Sequence, residues 1–223
     1  MGINKIKIMK KAIVLASSKG IGKGIADSLE QLDLEVVRTS TKTLDTSDIQ
    51  SVDNFINEQK STDILVLNTG GPKSQPFEEI TEEDCNKYHT QLVYSFIKMI
   101  QNIKINDGGY IFLVSSFNIK EPNGRLMLSN AYRVAFVSIL KCLSKELAKR
   151  NITTINIAPG PINTDRLVSL VDDMEALEKS IPLQRVGKVN EIGDFVKAII
   201  ENDIKYLTGV TINFDGGQSN FIF

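Results

Sequence analysis

The sequence predicts an α/β fold: a doubly wound parallel sheet with helices on both faces, in one unit spanning residues 1–223. Three observations carry this. Short apolar runs such as Ala12-Ile13-Val14-Leu15 recur along the chain, the pattern of strands buried on both faces. Helix-length stretches lie between them, several with a capping residue at the start. The alternation is regular, and successive strand–helix–strand units build a parallel sheet. No solenoid-period repeat, low-complexity tract or linker breaks the pattern.

Residues 1–8 alternate Lys, Ile and Asn, and fit either a short edge extension or a poorly ordered tail. After the first strand, Ser17-Ser18-Lys19-Gly20-Ile21-Gly22 leads into a helix ending near Gln31. Leu34 to Thr39 reads as the second strand and Thr43-Leu44-Asp45 as a short third. Asp48 caps a helix running to about Gln59. Asp63 to Leu67 is a strand that stops at the breaker Asn68-Thr69-Gly70-Gly71-Pro72. A long helical region starts at Thr81 and continues through Ile103. Tyr110 to Val114 is a strand, Ser129 to Arg150 a helix, and Thr153 to Ile157 a strand closed by Pro159-Gly160-Pro161. Asn190 to Glu201 is a helix, and Val210 to Phe214 the final strand.

Composition narrows the function classes. The 26 Lys and Arg balance 27 Asp and Glu, so no electrostatic case exists for nucleic acid or an anionic membrane. No apolar run approaches the ~20 residues of a bilayer span. Cys85 and Cys142 make no disulfide framework. A cytoplasmic globular protein is the expectation. His89 is the only histidine, so neither a histidine pair nor a His/Cys metal cluster is expected. As a lone helical histidine, it reads as a packing residue.

The chemistry-bearing signal is Ala16-Ser17-Ser18-Lys19-Gly20-Ile21-Gly22, between a strand and a helix. Glycines without Cβ atoms let backbone approach a pyrophosphate, and the helix start offers unpaired N–H groups and a positive dipole end. A tight turn with no ligand gives the same letters.

Several ordered motifs together resemble the short-chain dehydrogenase/reductase family from about Lys11 to Phe223. Gly20, Ile21 and Gly22 match its glycine motif, with Leu15-Ala16 where Thr-Gly would stand. Asp45-Thr46 falls where the family contacts adenine, and Asn68-Thr69-Gly70 matches part of its Asn-Asn-Ala-Gly strand end. The run from Ile157 through Pro159, Gly160, Ile162 and Thr164 matches the segment flanking the nicotinamide. Ile181 to Gly187, Tyr206 to Gly209 and Asp215-Gly216-Gly217 match its C-terminal signature. The resemblance implies a Rossmann-type three-layer sandwich with seven parallel strands in the order 3-2-1-4-5-6-7. It also implies a dinucleotide cofactor, a substrate lid near residues 165–185, and a homo-oligomer, tetramer or dimer. The lid's apolar residues would either cover an acyl chain or form an amphipathic surface helix.

The second strand ends in Arg38-Thr39-Ser40-Thr41-Lys42, with no acid to hold the ribose hydroxyls of NAD. Lys19 or Lys42, with Ser40 and Thr41, suits a 2′-phosphate, so NADP(H) is preferred over NAD(H).

The family's catalytic set is Ser, then Tyr thirteen residues on, then Lys four further, with a supporting Asn. Ser116 stands at the serine, but Ser129 replaces Tyr, Arg133 replaces Lys, and Leu92 replaces Asn, with Gln91 just before it. Ser129 and Arg133 share a helix face at i and i+4. Arg133 can anchor ribose and supply fixed positive charge, but cannot relay protons as Lys does. Tyr132 is read as a packing residue. The departures resemble a subgroup akin to β-ketoacyl-acyl-carrier-protein reductases. The expected activity is hydride transfer between NADP(H) and a carbonyl or alcohol, on a small-molecule or acyl-thioester substrate. The alternatives are a catalytically degenerate dinucleotide sensor or scaffold, or a structural subunit.

Overall fold

The computed structural model describes residues 11–221, so residues 1–8, with their two readings, lie outside them. The first half of the chain forms β1 (Lys11–Val14), α1 (Gly20–Leu29), β2 (Glu35–Arg38), α2 (Ile49–Glu58) and β3 (Ser61–Leu67). Next come α3 (Glu82–His89), a π turn (Thr90–Tyr94), α4 (Ser95–Asn102), β4 (Lys104–Val114) and α5 (Met127–Leu147). The last part is β5 (Thr153–Pro159), α6 (Asp165–Val168), α7 (Met174–Ser180), α8 (Val189–Glu201) and β6 (Val210–Phe214).

The strands form one parallel sheet in the order β2-β1-β3-β4-β5-β6. The expected α/β architecture is present, with six strands among the described residues rather than seven. The missing member is the expected third strand at Thr43-Leu44-Asp45. Ser40 N donates to Thr43 Oγ1 at 2.9 Å, and Thr43 N and Leu44 N donate to Ser40 O at 3.0 and 2.8 Å. The segment therefore satisfies its backbone in a turn, and Leu44 goes into the core instead of beside β2.

Strand alternation sorts side chains onto two faces. Ala12, Val14, Ile64, Val66 and Phe112 pack under α1 and α8. Ile13, Leu15, Leu65, Leu67 and Leu113 pack under α2, α4 and α5. On the first face α1 and α8 approach closely, because a Cβ on Gly193 would fall 2.2 Å from Gly24 O. Only two glycines allow that separation.

Two segments differ from the expected boundaries. The long helix through Ile103 is interrupted by the π turn at Thr90–Tyr94. The widened turn shifts the helix register so that Leu92, Val93 and Phe96 are all buried. Strand β4 starts at Lys104, six residues before Tyr110, because Ser61 and Thr62 pair with Lys104 and Ile105 ahead of an irregularity. Gly108, at φ +74°, supplies the left-handed backbone there.

At the start of α8, Glu191 accepts from Lys188 N at 2.7 Å and from both Arg185 Nη atoms at 2.9 and 2.7 Å. The Arg185 bonds first, then Lys188 N, hold the Glu191 carboxyl down at about 2. A depressed carboxylate contributes stability above its unfolded value and loses it as pH falls through the folded value. Glu191→Gln should thus destabilise the fold at neutral pH, by under about 1 kcal/mol because the pair is solvent-screened. The difference from wild type should shrink between pH ~4.5 and ~2, as read by urea unfolding at several pH values.

Candidate active site

The site lies above the C-terminal ends of β1, β3, β4 and β5, where a parallel sheet presents its loops. At the end of β1, Ala16 N donates to Thr39 Oγ1 at 2.9 Å and Ser17 N to Thr39 O at 2.8 Å. Ser17 is buried, its hydroxyl donating to Val14 O at 2.8 Å, while Ser18 and Lys19 are exposed. Ala16 has φ +47° and Gly20 φ +58°. These left-handed residues fold the loop back so that α1 starts over the strand end.

Three features fit a dinucleotide here. Helix α1 has no side-chain N-cap bond and no acid in its first turn, leaving its leading N–H groups for an anion. A Cβ on Gly22 would fall 2.4 Å from Ala16 O and 2.7 Å from Asn68 Nδ2, so only glycine lets the helix approach. A cleft opens beside this loop, lined by Ala16, Thr41, Asp45, Thr46, Asn68 and Gly70 among others.

Of the expected cofactor residues, Ala16, Asp45, Thr46, Asn68, Thr69 and Gly70 line this cleft. Asn68 Nδ2 donates to Leu15 O at 3.2 Å, tying the end of β3 to the glycine loop. Thr46 Oγ1 and Thr69 Oγ1 lie 2.8 Å apart. Gln91 Nε2 donates to Gly70 O at 2.9 Å, so the π turn braces the same strand end. Asp45 accepts from Ser47 N and Oγ at 2.9 and 2.7 Å. From the far side, Thr164 Cγ2 would lie 3.5 Å from a Cβ on Gly20. Ile162 bridges Gly187, and Gly160 packs on Asp215, whose Cα would be 2.8 Å from an added Cβ.

Charges at the end of β2 are unequal. Arg38 is held by Glu30 through Nε and Nη2 at 2.8 and 2.7 Å and by Asp27 at 2.5 Å. Those bonds, Glu30 first, raise it further above its usual range. Lys42 and Lys19 are exposed, and Lys19 reaches Asp165 only at 3.9 Å.

The catalytic candidates gather at the end of β4. Ser116 Oγ accepts from Asn118 N at 3.2 Å, which leaves its own proton to donate. Ser129 is buried on α5, and Arg133 Nε donates to its Oγ at 3.2 Å. Arg133 Nη1 donates to Val114 O at 3.0 Å, clamping α5 to the strand that carries Ser116. Because Ser129 Oγ accepts from a guanidinium, its O–H remains available as a donor. Burial, then the neighbouring Arg166 charge, pushes Arg133 down to about 10, so it stays cationic at neutral pH.

Leu92, at the family's asparagine position, is buried and supplies no polar group. Tyr132 stacks edge-on against His89 with centroids 5.8 Å apart. Burial, then Cys85, raises its phenol above the usual value, while its ring packs on His89 of α3. Among the described residues no three His, Cys, Asp or Glu side chains gather as a metal set. Among them, too, no helix is long and apolar enough to cross a membrane.

Arg166 is the site residue that sequence reasoning missed. Thr164 caps α6 by accepting from Leu167 N at 3.2 Å, and Arg166 Nη2 then donates to Pro72 O at 2.7 Å. In sequence it reads as one charge beside Asp165, with nothing to separate it from a solvated side chain. The segment read as a lid contains α6 and α7.

This fold and site define a dinucleotide-binding oxidoreductase scaffold. A family model described as enoyl-(acyl carrier protein) reductase matches residues 43–219. The chain belongs to that family, within the short-chain dehydrogenases/reductases. It is similar to the 3-oxoacyl-[acyl-carrier-protein] reductase of Escherichia coli (strain K12), 26% identical over 236 residues, covering 94% of this chain and 97% of that one. The NADPH-dependent reductase BacG of Bacillus subtilis (strain 168) is 25% identical, with 96% and 99% coverage. Among solved structures, a short-chain dehydrogenase/reductase from Serratia marcescens BCRC 10948 superposes with TM-score 0.80 at 25% identity, covering 94% and 98% of the two chains.

Ala16 stands where the family motif has glycine, and its positive φ costs an L side chain about 1 kcal/mol. Ala16→Gly should stabilise the protein by about that amount in chemical denaturation, without moving the loop.

Proposed function

We propose that the protein is an NADP(H)-dependent reductase of the short-chain type, interconverting a carbonyl and an alcohol with a Ser–Ser–Arg set in place of Ser–Tyr–Lys. The observation that carries this is the Arg133 Nε to Ser129 Oγ bond, on a helix that Arg133 Nη1 ties to Val114 O, two residues before Ser116. When bound, the nicotinamide supplies the hydride. Ser116 Oγ–H holds the substrate oxygen. Ser129 Oγ–H, or a water it binds, passes the proton to that oxygen. Arg133 keeps positive charge beside the oxygen as negative charge develops, and its rigid fork holds ribose. Lys42, with Ser40 and Thr41, receives the 2′-phosphate, and the absence of an acid at the end of β2 removes the usual NAD anchor. The relatives' names support a substrate of the 3-oxoacyl class. The working form on this reading is a cytoplasmic homo-oligomer, a dimer or tetramer.

Two measurements test the reading. Arg133→Ala should lower kcat by about 10²–10⁴-fold with the fold retained, read by NADPH oxidation and circular dichroism. Tight NADPH binding without hydride transfer to any ketone or 3-oxoacyl thioester would overturn it in favour of a binding protein. Lys42→Ala should weaken NADPH about fivefold and leave NADH nearly unchanged in fluorescence titration.

A further inference from the structure

Two arginines converge on Gly71, just past the end of β3. A Cβ on Gly71 would fall 2.9 Å from Arg166 Nη2 and 3.5 Å from Arg133 Nη2, so both guanidinium groups press on one glycine. They come from different elements, Arg166 from α6 and Arg133 from α5. Each is held by a backbone carbonyl, Pro72 O and Val114 O, which fixes position without neutralising charge. Among the described residues neither has a carboxylate within ion-pair distance. The nearby acids are engaged elsewhere, Asp84 with Lys73, Gln75 and Thr81, and Asp165 facing Lys19. Buried Tyr88 adds a phenol beside Arg166. Its oxygen accepts from Lys73 N at 3.4 Å, keeping its own proton free to donate.

Like charges this close in a desolvated site repel, and Arg166 weakens Arg133's hold on its proton. Arg166 is pushed below its usual value by burial, as Arg133 is. Structural arginines ordinarily resolve this with a carboxylate partner. Here the protein supplies none, while Arg133 Nη2 and the Tyr88 hydroxyl remain as unused donors among the described residues. A planar two-oxygen anion matches that donor set.

We propose that the substrate is a short oxo acid or its hydroxy acid, with a free carboxylate held between Arg133 and Arg166 beside Gly71. This rests on the reductase reading above and puts a free acid in place of the acyl thioester that the relatives' names suggest. A neutral acyl thioester would leave both charges uncompensated. In the reaction, hydride adds to the carbonyl carbon and the π pair moves to oxygen. That oxygen takes the Ser129 Oγ proton, which solvent replaces. Oxidised dinucleotide and the hydroxy acid leave, the carboxylate unchanged. A Cβ on Gly71 would press on both guanidinium groups and displace their ends.

The test compares 2-oxobutyrate and acetoacetate with their ethyl esters and with acetoacetyl-pantetheine phosphate, by NADPH oxidation. Free-acid binding to the protein without NADPH is read separately by calorimetry. At least one free acid should exceed its ester about 100-fold in kcat/KM. Arg166→Gln should collapse that preference, mainly through KM, and Arg166→Lys should restore part of it. Saturable binding of the acid, lost in Arg166→Gln, is expected in calorimetry. Esters or the pantetheine thioester turned over as well as the acids would overturn the carboxylate assignment and leave the reductase reading standing. Acid binding that needs Arg166, with no reduction of any carbonyl, would keep the carboxylate site and overturn the reductase reading.

Discussion

The site depends on the burial of a parallel sheet on both faces. With α1 and α8 on one side and α2, α4 and α5 on the other, the strands have no solvated face for chemistry. Polar groups are driven to the strand ends. Parallel direction then puts the ends of β1, β3, β4 and β5 at one edge, so Ala16, Asn68, Ser116 and Pro159 become neighbours despite their separation along the chain. The glycine loop, the Asn68 tether and the Arg133 clamp are consequences of that common edge.

Arg133 shows how a changed catalytic residue keeps its structural duties while altering its chemistry. A guanidinium at this position bonds Ser129 Oγ and Val114 O together, which a point-charge ammonium does less rigidly. It stays charged at neutral pH, even with burial pulling its value down. On the proposed reading, proton movement falls to hydroxyls and fixed charge falls to arginine. That division of the two jobs would relax the need for a tyrosine, whose acidity the family's lysine normally adjusts. The same charge lies with that of Arg166 beside Gly71, and the proposed carboxylate would tie the altered catalytic set to a change in substrate.

The sheet edge and the site also explain the local irregularities. Ala16 accepts a left-handed backbone because the loop must turn over the strand end at Thr39. The π turn carries Gln91 to Gly70 O, replacing with a side-chain amide the bracing that Leu92 cannot give. Both are small costs accepted where the cofactor cleft is built.

By itself, the sequence determined the α/β alternation, the glycine loop and the shared helix face of Ser129 and Arg133, each local and written in apolar runs, capping residues and i, i+4 spacing. Ser116, Ser129 and Arg133 are marked as catalytic positions by the family resemblance. Tertiary structure decided the rest. Whether Thr43-Leu44-Asp45 adds a strand depended on Ser40 capturing its backbone donors rather than on strand propensity. Whether Arg166 is a solvated charge or is held beside Gly71 depended on where α6 docks against Pro72. That is contact between residues some 94 positions apart, and no local pattern encodes which carbonyl a charge will find.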